Sequence, residues 1–158
     1  MFQARTHAQV ASARAGLARV GGLSDNLFKI GPFGIGLDGA LAWVPGVGPL
    51  YSAAAAVLIL VMGWRAHAPI TVLTQATTIL FARTAVSAAG DVVLPFFVPT
   101  EVLVDFFRGH KWASDMLVKS IDNTHYVEGR RHPSNPEFAE TRERVRSGEE
   151  RRRVVFLG

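Results

Sequence analysis

Residues 39–64 read GALAWVPGVGPLYSAAAAVLILVMGW, a run of 26 residues without a charged side chain. About twenty predominantly apolar residues are enough to cross the hydrocarbon core of a membrane as a helix. The segment Pro45-Gly-Val-Gly-Pro49 interrupts the run, and a helix does not pass through it undistorted. The pattern therefore predicts a short helix over about 37–44, a break, and a second helix over about 49–65.

Charged residues are rare around this run and concentrated at the two ends of the sequence. Between residues 39 and 100 the charged side chains are Arg65, Arg83 and Asp91. The 158 residues are 49% hydrophobic and 19% charged, whereas globular domains usually carry about 25% charged residues. This composition excludes a disordered chain. The net charge is only +4, although the pI is near 10.1, so we expect no nucleic-acid partner.

No pattern of catalytic or metal-binding residues stands out. The sequence has no cysteine, which excludes disulfides and cysteine-ligated metal sites. The histidines share no ligand spacing and are expected at the surface or at an interface; they are His7, His67, His110, His125 and His132. We therefore predict no cofactor, no metal and no enzymatic activity.

A second apolar stretch predicts the other half of a helical hairpin. A helix is expected from Pro69 to about Ala89, followed by a second proline-punctuated break and a helix over about 100–121. Asp38 precedes Pro45 by seven residues and Asp91 precedes Pro99 by eight. This similarity indicates two related helix-break-helix units, with chance likeness between two apolar stretches as the alternative.

The fold expected from these patterns is all-α, with a membrane-embedded hairpin formed roughly by residues 37–65 and 69–98. Its proline-broken arms are re-entrant or interfacial, and its ends are polar helices. Three regions follow: a basic amphipathic segment (1–23), a hydrophobic membrane domain (24–121) and a charged cytoplasmic tail (122–158). Arginines outnumber acids at both ends, which predicts a multi-pass inner-membrane protein with both termini cytoplasmic. A soluble four-helix protein is the alternative.

Two stripes of side chains give local expectations. Val10 and Leu17 share one face of an N-terminal helix, which lies either on an anionic membrane surface or at the protein surface, and which Gly21-Gly22 is expected to end. The second stripe contains Thr71, Gln75 and Thr78 and is expected to face protein.

The segment Gly36-Leu-Asp-Gly-Ala-Leu-Ala-Trp-Val-Pro-Gly-Val-Gly48 resembles the signature of domain of unknown function 4112, a family of small, mainly bacterial membrane proteins. Residues that match its first motif are Asp38, Pro45, Gly46 and Gly48, and residues that loosely match its second unit include Asp91, Pro99 and Asp105. Pro49 stands where that family usually has an acidic residue. The resemblance implies a membrane-associated protein without an assigned activity, and it implies no catalytic residue.

The charges within the apolar region are the strongest site candidates, because ionisable groups at membrane depth normally face a partner or water. Arg83 could pair with Asp38 or Asp91, could snorkel at a helix end, or could belong to an ion pathway. The predicted function is a scaffold or accessory subunit of a membrane complex, in contact with the lipid bilayer. Its small-residue face at Ala53–Ala56 would pack against a protein partner or a second copy. The alternative is a small transporter or channel that uses Asp38, Arg83 and Asp91.

Overall fold

The computed structural model describes residues 3–25, 28–30, 33–35, 47–93 and 109–158, with side-chain environments for 3–23, 50–82 and 109–158. Within these ranges the chain is mainly helical, which confirms the coarse fold prediction. The helices are α1 (His7–Asp25), α2 (Val47–Arg65), α3 (Ile70–Val93), α4 (Gly109–Asp122) and α5 (Pro136–Arg146). Two pairs of short strands, absent from the prediction, complete the described elements.

The strands form two separate sheets. Strands β1 (Phe28–Ile30) and β2 (Phe33–Ile35) pair antiparallel, whereas β3 (Thr124–Val127) and β4 (Arg153–Phe156) pair in parallel. A parallel pair needs a crossover connection, and here the connection contains α5.

The helix boundaries agree with the sequence pattern in α2 and differ in α1 and α3. The predicted helix from Pro69 ends at about Ala89, whereas α3 continues to Val93. The predicted helix over 49–65 corresponds closely to α2. In α1 the predicted end at Gly21-Gly22 is wrong, since the helix continues to Asp25. Gly21 is buried there because α1 approaches α4 so closely that an added Cβ would lie 3.0 Å from the Cβ of Ser114. In this position glycine permits close packing and does not terminate the helix.

Four helices contribute to one hydrophobic core. Leu17 of α1, Ile59 of α2 and Leu117 of α4 are fully buried, and Leu80 of α3 is 3% exposed. The stripe that includes Val10 and Leu17 therefore faces the core, while most other side chains of α1 are exposed. This is the arrangement of an ordinary surface helix, and the alternative in which the apolar face lies on a membrane is wrong. Burial against neighbouring helices accounts for this amphipathic pattern.

Residues 122–158, expected to be a charged tail, contribute to the same core. Val155 and Leu157 belong to the main hydrophobic cluster, and Val127 is 1% exposed. The ring of Phe138 in α5 packs against that of Phe156 in β4, with 5.5 Å between the centroids. The β3–α5–β4 unit thus packs against the helices rather than extending from them.

Over the described residues, no helix combines the length and the apolar character needed to cross a membrane. The prediction of a multi-pass inner-membrane protein with both termini in the cytoplasm is therefore wrong. Part of the apolar surplus that suggested lipid contact forms the core instead, as Ile59 and Leu80 illustrate. The membrane-embedded hairpin is likewise unsupported.

Candidate functional site

Several of the predicted site residues lie outside the described residues: Asp38, Pro45, Gly46, Pro99 and Asp105. Gly48 is the second residue of α2. Arg83 and Asp91 both lie in α3, which continues through Gly90 to its end. A helix rises 1.5 Å per residue, so the eight-residue separation places their Cα atoms about 12 Å apart along the axis. The turn at Gly90 that a direct ion pair would need does not occur in this described helix.

The candidate site in the structure is an exposed apolar surface on α2 and α3. Ten large apolar side chains are exposed in the described part of the chain, and seven of them belong to these two helices. Their exposed fractions range from 43% at Leu58 to 73% at Leu50 and Phe81. The other four are Val57, Val61, Trp64 and Ile70. Exposure of this kind marks the surface as a candidate interaction site.

A groove of about 820 Å³ runs along this surface between the two helices. We call it the α2–α3 groove. It is lined on α2 by Leu60, Val61, Trp64 and Arg65, and on α3 by Ile70, Leu73, Thr74, Thr77, Thr78 and Phe81. Arg65 is the charged residue of this lining and lies at the end where α2 meets the turn to α3.

The threonines of the groove make it more apolar than the sequence suggests. The hydroxyl of Thr74 donates to the carbonyl of Ile70 at 2.9 Å, that of Thr77 to Leu73 at 2.8 Å, and that of Thr78 to Thr74 at 3.0 Å. Each hydroxyl proton is thus used within α3, as is common for threonine in helices. No donor of these threonines is left for an occupant of the groove.

The polar stripe of α3 does not face the protein interior. Thr71, Gln75 and Thr78 are all exposed, so no described part of this chain covers them, and the expectation that the stripe faces protein rather than lipid stays a prediction. The opposite face of α3, with Leu73, Ala76 and Leu80, packs into the core.

A second, more polar pocket of about 630 Å³ lies at the turn end of the groove. Trp64, which is 52% exposed, lines both. Arg5 and His67 contribute the basic side chains of the second pocket, and its other lining residues are Gln3, Ala4, Phe156, Leu157 and Gly158. The groove therefore has an apolar length and a basic end.

Hydrogen bonds from three parts of the chain hold this basic end in place. The amide of Ala4 donates to the carbonyl of Arg65 at 2.8 Å, and Nε2 of His67 lies 2.8 Å from the carbonyl oxygen of Ala4. The hydroxyl of Tyr126 donates to Ala66 at 2.7 Å, and Nη1 of Arg153 donates to His67 at 2.5 Å. His67 adopts a φ of 55°, an uncommon conformation for a non-glycine residue. These bonds support that conformation.

A buried carboxylate in the C-terminal unit has a structural explanation. Glu150 is 4% exposed in its side chain and accepts hydrogen bonds from Nε, Nη2 and the backbone amide of Arg152. Nδ1 of His125 lies 3.4 Å from its Oε2. The hydrogen bonds from Arg152 lower the pKa of Glu150 from 4.5 to about 2. Glu150 therefore links β4 to β3 as a stable anion.

His110 is the clearest exception to the expected surface histidines, because it is only 1% exposed. Its Nε2 lies 3.1 Å from the carbonyl oxygen of Ser52. The hydroxyls of Ser52 and Ser114 are buried nearby in the helical core and lack a hydrogen-bond partner among the described residues. Among all the residues that the structure describes, no group of three or more His, Asp or Glu side chains could hold a metal ion.

Comparisons with protein families, curated proteins and solved structures found no match to this chain. The resemblance of the Gly36–Gly48 segment to the family of unknown function stays a prediction.

Proposed function

We propose that the protein is a non-catalytic scaffold or accessory subunit that binds another protein through the α2–α3 groove. The occupant is the apolar face of one helix of the partner. The observation that carries this proposal is the exposure of seven large apolar side chains on two adjacent helices, four of which line the groove: Val61, Trp64, Ile70 and Phe81. Monomeric proteins rarely leave contiguous apolar surface beyond a few hundred Å² uncovered, and larger patches are typical of interaction sites.

The shape of the groove favours a helix as the occupant. Consecutive helices joined by a short turn form a helical hairpin, and a third helix can pack along the groove between them at about 8–10 Å. The α3 side of the groove extends from Ile70 to Phe81, which corresponds to about 17 Å. A helix of about three turns covers this distance and presents apolar residues at i, i+3, i+4 and i+7.

The chemistry of the groove favours an apolar contact face on that helix. The hydroxyls of Thr74, Thr77 and Thr78 already donate to carbonyls of their own helix, so the α3 side of the groove offers a polar occupant no hydroxyl donor. Ala53 and Ala54 are exposed on α2, whereas Ala55 is buried.

A display selection with the full-length protein tests this proposal. The protein is used to select peptides from a library of helical peptides of about three turns. Wild type should enrich peptides with an apolar stripe, and Val61→Glu should lose that enrichment because it places a charge in the groove. Val145→Glu on α5 is the matched control, since Val61 is 45% and Val145 48% exposed.

Three results would overturn the proposal. The first is a selection in which wild type and Val61→Glu enrich the same peptides. The second is a stable dimer of the wild-type chain in light scattering that Val61→Glu converts to a monomer, since the occupant would then be a second copy. The third is co-sedimentation with phosphatidylglycerol and phosphatidylcholine vesicles that Val61→Glu abolishes, since the occupant would then be a lipid surface.

A further inference from the structure

The two arginines at the turn end of the groove define a second requirement on the partner. Arg65 lines the groove directly, and Arg5 lines the second pocket, which shares Trp64 with the groove. The hydrogen bond from the Ala4 amide to the Arg65 carbonyl brings the segment that carries Arg5 beside the end of α2. Two guanidinium groups thus belong to one end of the binding surface.

Among the described residues, no acidic side chain lines that end or pairs with either guanidinium, and the nearby carboxylate of Glu128 accepts from the backbone amide of His7 at 2.6 Å. The linings of the groove and of the adjoining pocket contain no Asp or Glu. Within the described part of the chain, the structure gives neither the Arg5 nor the Arg65 guanidinium a hydrogen bond or an ion pair. By contrast, Arg14 and Arg152 each bind a carboxylate of their own chain.

Helix electrostatics account for only one of the two positions. Arg65 occupies the last turn of α2, where a cation interacts favourably with the helix dipole. Arg5 precedes α1, which begins at His7 and has no acidic residue in its first turn. A cation near a helix N-terminus is unfavourable. Arg5 therefore gains nothing from the helix next to it.

We infer that the partner helix carries acidic residues at the end that lies against Arg65 and Arg5. This inference rests on the proposed function, since it specifies the helix that the α2–α3 groove binds. The partner thus has an apolar face of about three turns that ends in Asp or Glu. The turn is fixed by the hydrogen bonds of Ala4, Tyr126 and Arg153, so the backbone that carries Arg65 is organised before binding.

The expected effect is moderate because both arginines are exposed. A solvent-exposed ion pair changes affinity by about two- to fivefold, so two pairs together give about 4- to 25-fold. Salt screens such pairs. The contribution of the acidic residues should therefore decrease as the ionic strength rises, whereas the contribution of the apolar stripe should not.

Binding of three synthetic helical peptides to the full-length protein tests the inference. All three share one leucine stripe; one has glutamates at its N-terminal end, one has them at its C-terminal end, and one has glutamines at both. Calorimetry should give one glutamate peptide about 4- to 25-fold tighter binding than the glutamine peptide. The advantage should disappear in the Arg5→Gln and Arg65→Gln double variant and persist in Arg19→Gln, which changes an exposed arginine of α1.

The outcomes separate this inference from the proposed function. Equal affinity of all three peptides for wild type would overturn the acidic end while leaving the groove as a helix-binding site. An advantage that survives the double variant would also overturn it, because the carboxylates would then bind elsewhere. Failure of all three peptides to bind wild type would contradict the proposed function itself. Circular dichroism of each variant establishes that the fold is retained.

Discussion

Asp122, the last residue of α4, accepts two hydrogen bonds from Arg14 of α1, one from Nε at 2.6 Å and one from Nη2 at 2.7 Å. This paired geometry ties two core helices together at their surface. The hydrogen bond from Arg14 is the main reason that the pKa of Asp122 lies below its ordinary value of 3.8. Both side chains remain 46% exposed, so solvent screens the interaction.

We expect Asp122→Asn to lower the thermal midpoint at neutral pH by no more than about 4 °C. The folded-state pKa is lower than the unfolded one, so the stabilisation is present above pH 3.8 and is lost as the pH falls further. Circular dichroism melts at neutral and acidic pH measure this difference, which should shrink in acid. A neutral-pH midpoint equal to that of wild type would show that the pair contributes nothing. Asp115→Asn, which removes an exposed pair within α4, is the control.

We expect Glu150→Gln to destabilise the protein at neutral pH, since it leaves Arg152 without its buried anionic partner. The pKa of Glu150 falls from 4.5 to about 2 on folding. Its stabilisation is therefore complete above pH 4.5 and is lost as the pH decreases toward 2. Urea unfolding of wild type and variant should differ most at neutral pH and converge in acid. The neighbouring Glu149→Gln, at an exposed position, should match wild type; an equal loss in both variants would contradict the prediction.

Local pattern was sufficient to predict helices but not their environment. The run before Arg65 predicted α2 closely, because a break at Pro45-Gly-Val-Gly-Pro49 and an uninterrupted apolar segment are local signals. Both faces of α2 are apolar, however, and Ile59 is buried whereas Val61 is 45% exposed. Which face another helix covers depends on tertiary packing, so the sequence alone suggested lipid contact where the structure has a core.

The C-terminal unit and the basic end of the groove depend on long-range contacts. Strand β4 is only four residues long, follows a run of arginines and pairs in parallel with β3 across α5. Arg5 and Arg65 are 60 positions apart in the sequence, and the hydrogen bond from the Ala4 amide to the Arg65 carbonyl holds their two segments side by side. No periodic pattern in the sequence predicts contacts between residues so far apart. In the sequence, only the absence of an acidic residue near Arg5 could have indicated that this arginine lacks a partner within the chain.

We expect Tyr126→Phe to cost about 1 kcal/mol of stability, because it removes the hydrogen bond to Ala66 at 2.7 Å. Burial raises the pKa of Tyr126 above 10. Since the unfolded state then ionises first, wild type should lose stability as the pH rises above 10, and the variant should lose less. Urea unfolding at neutral and alkaline pH measures both effects. Equal stability at neutral pH would show that this bond does not support the turn.

We expect Gly63→Ala to destabilise the protein by about 1–3 kcal/mol, as overpacking of a core does. An added Cβ would lie 2.9 Å from Cδ2 of Leu117 and 3.1 Å from Cδ2 of Leu73, so these buried side chains, or the helices that carry them, would have to shift. Gly22→Ala is the matched control, because nothing lies within 4 Å of its added Cβ and alanine favours a helix by about 0.5–1 kcal/mol. Urea unfolding should therefore shift in opposite directions for the two variants. A stabilised Gly63→Ala would mean that these helices are less tightly packed than the distances indicate.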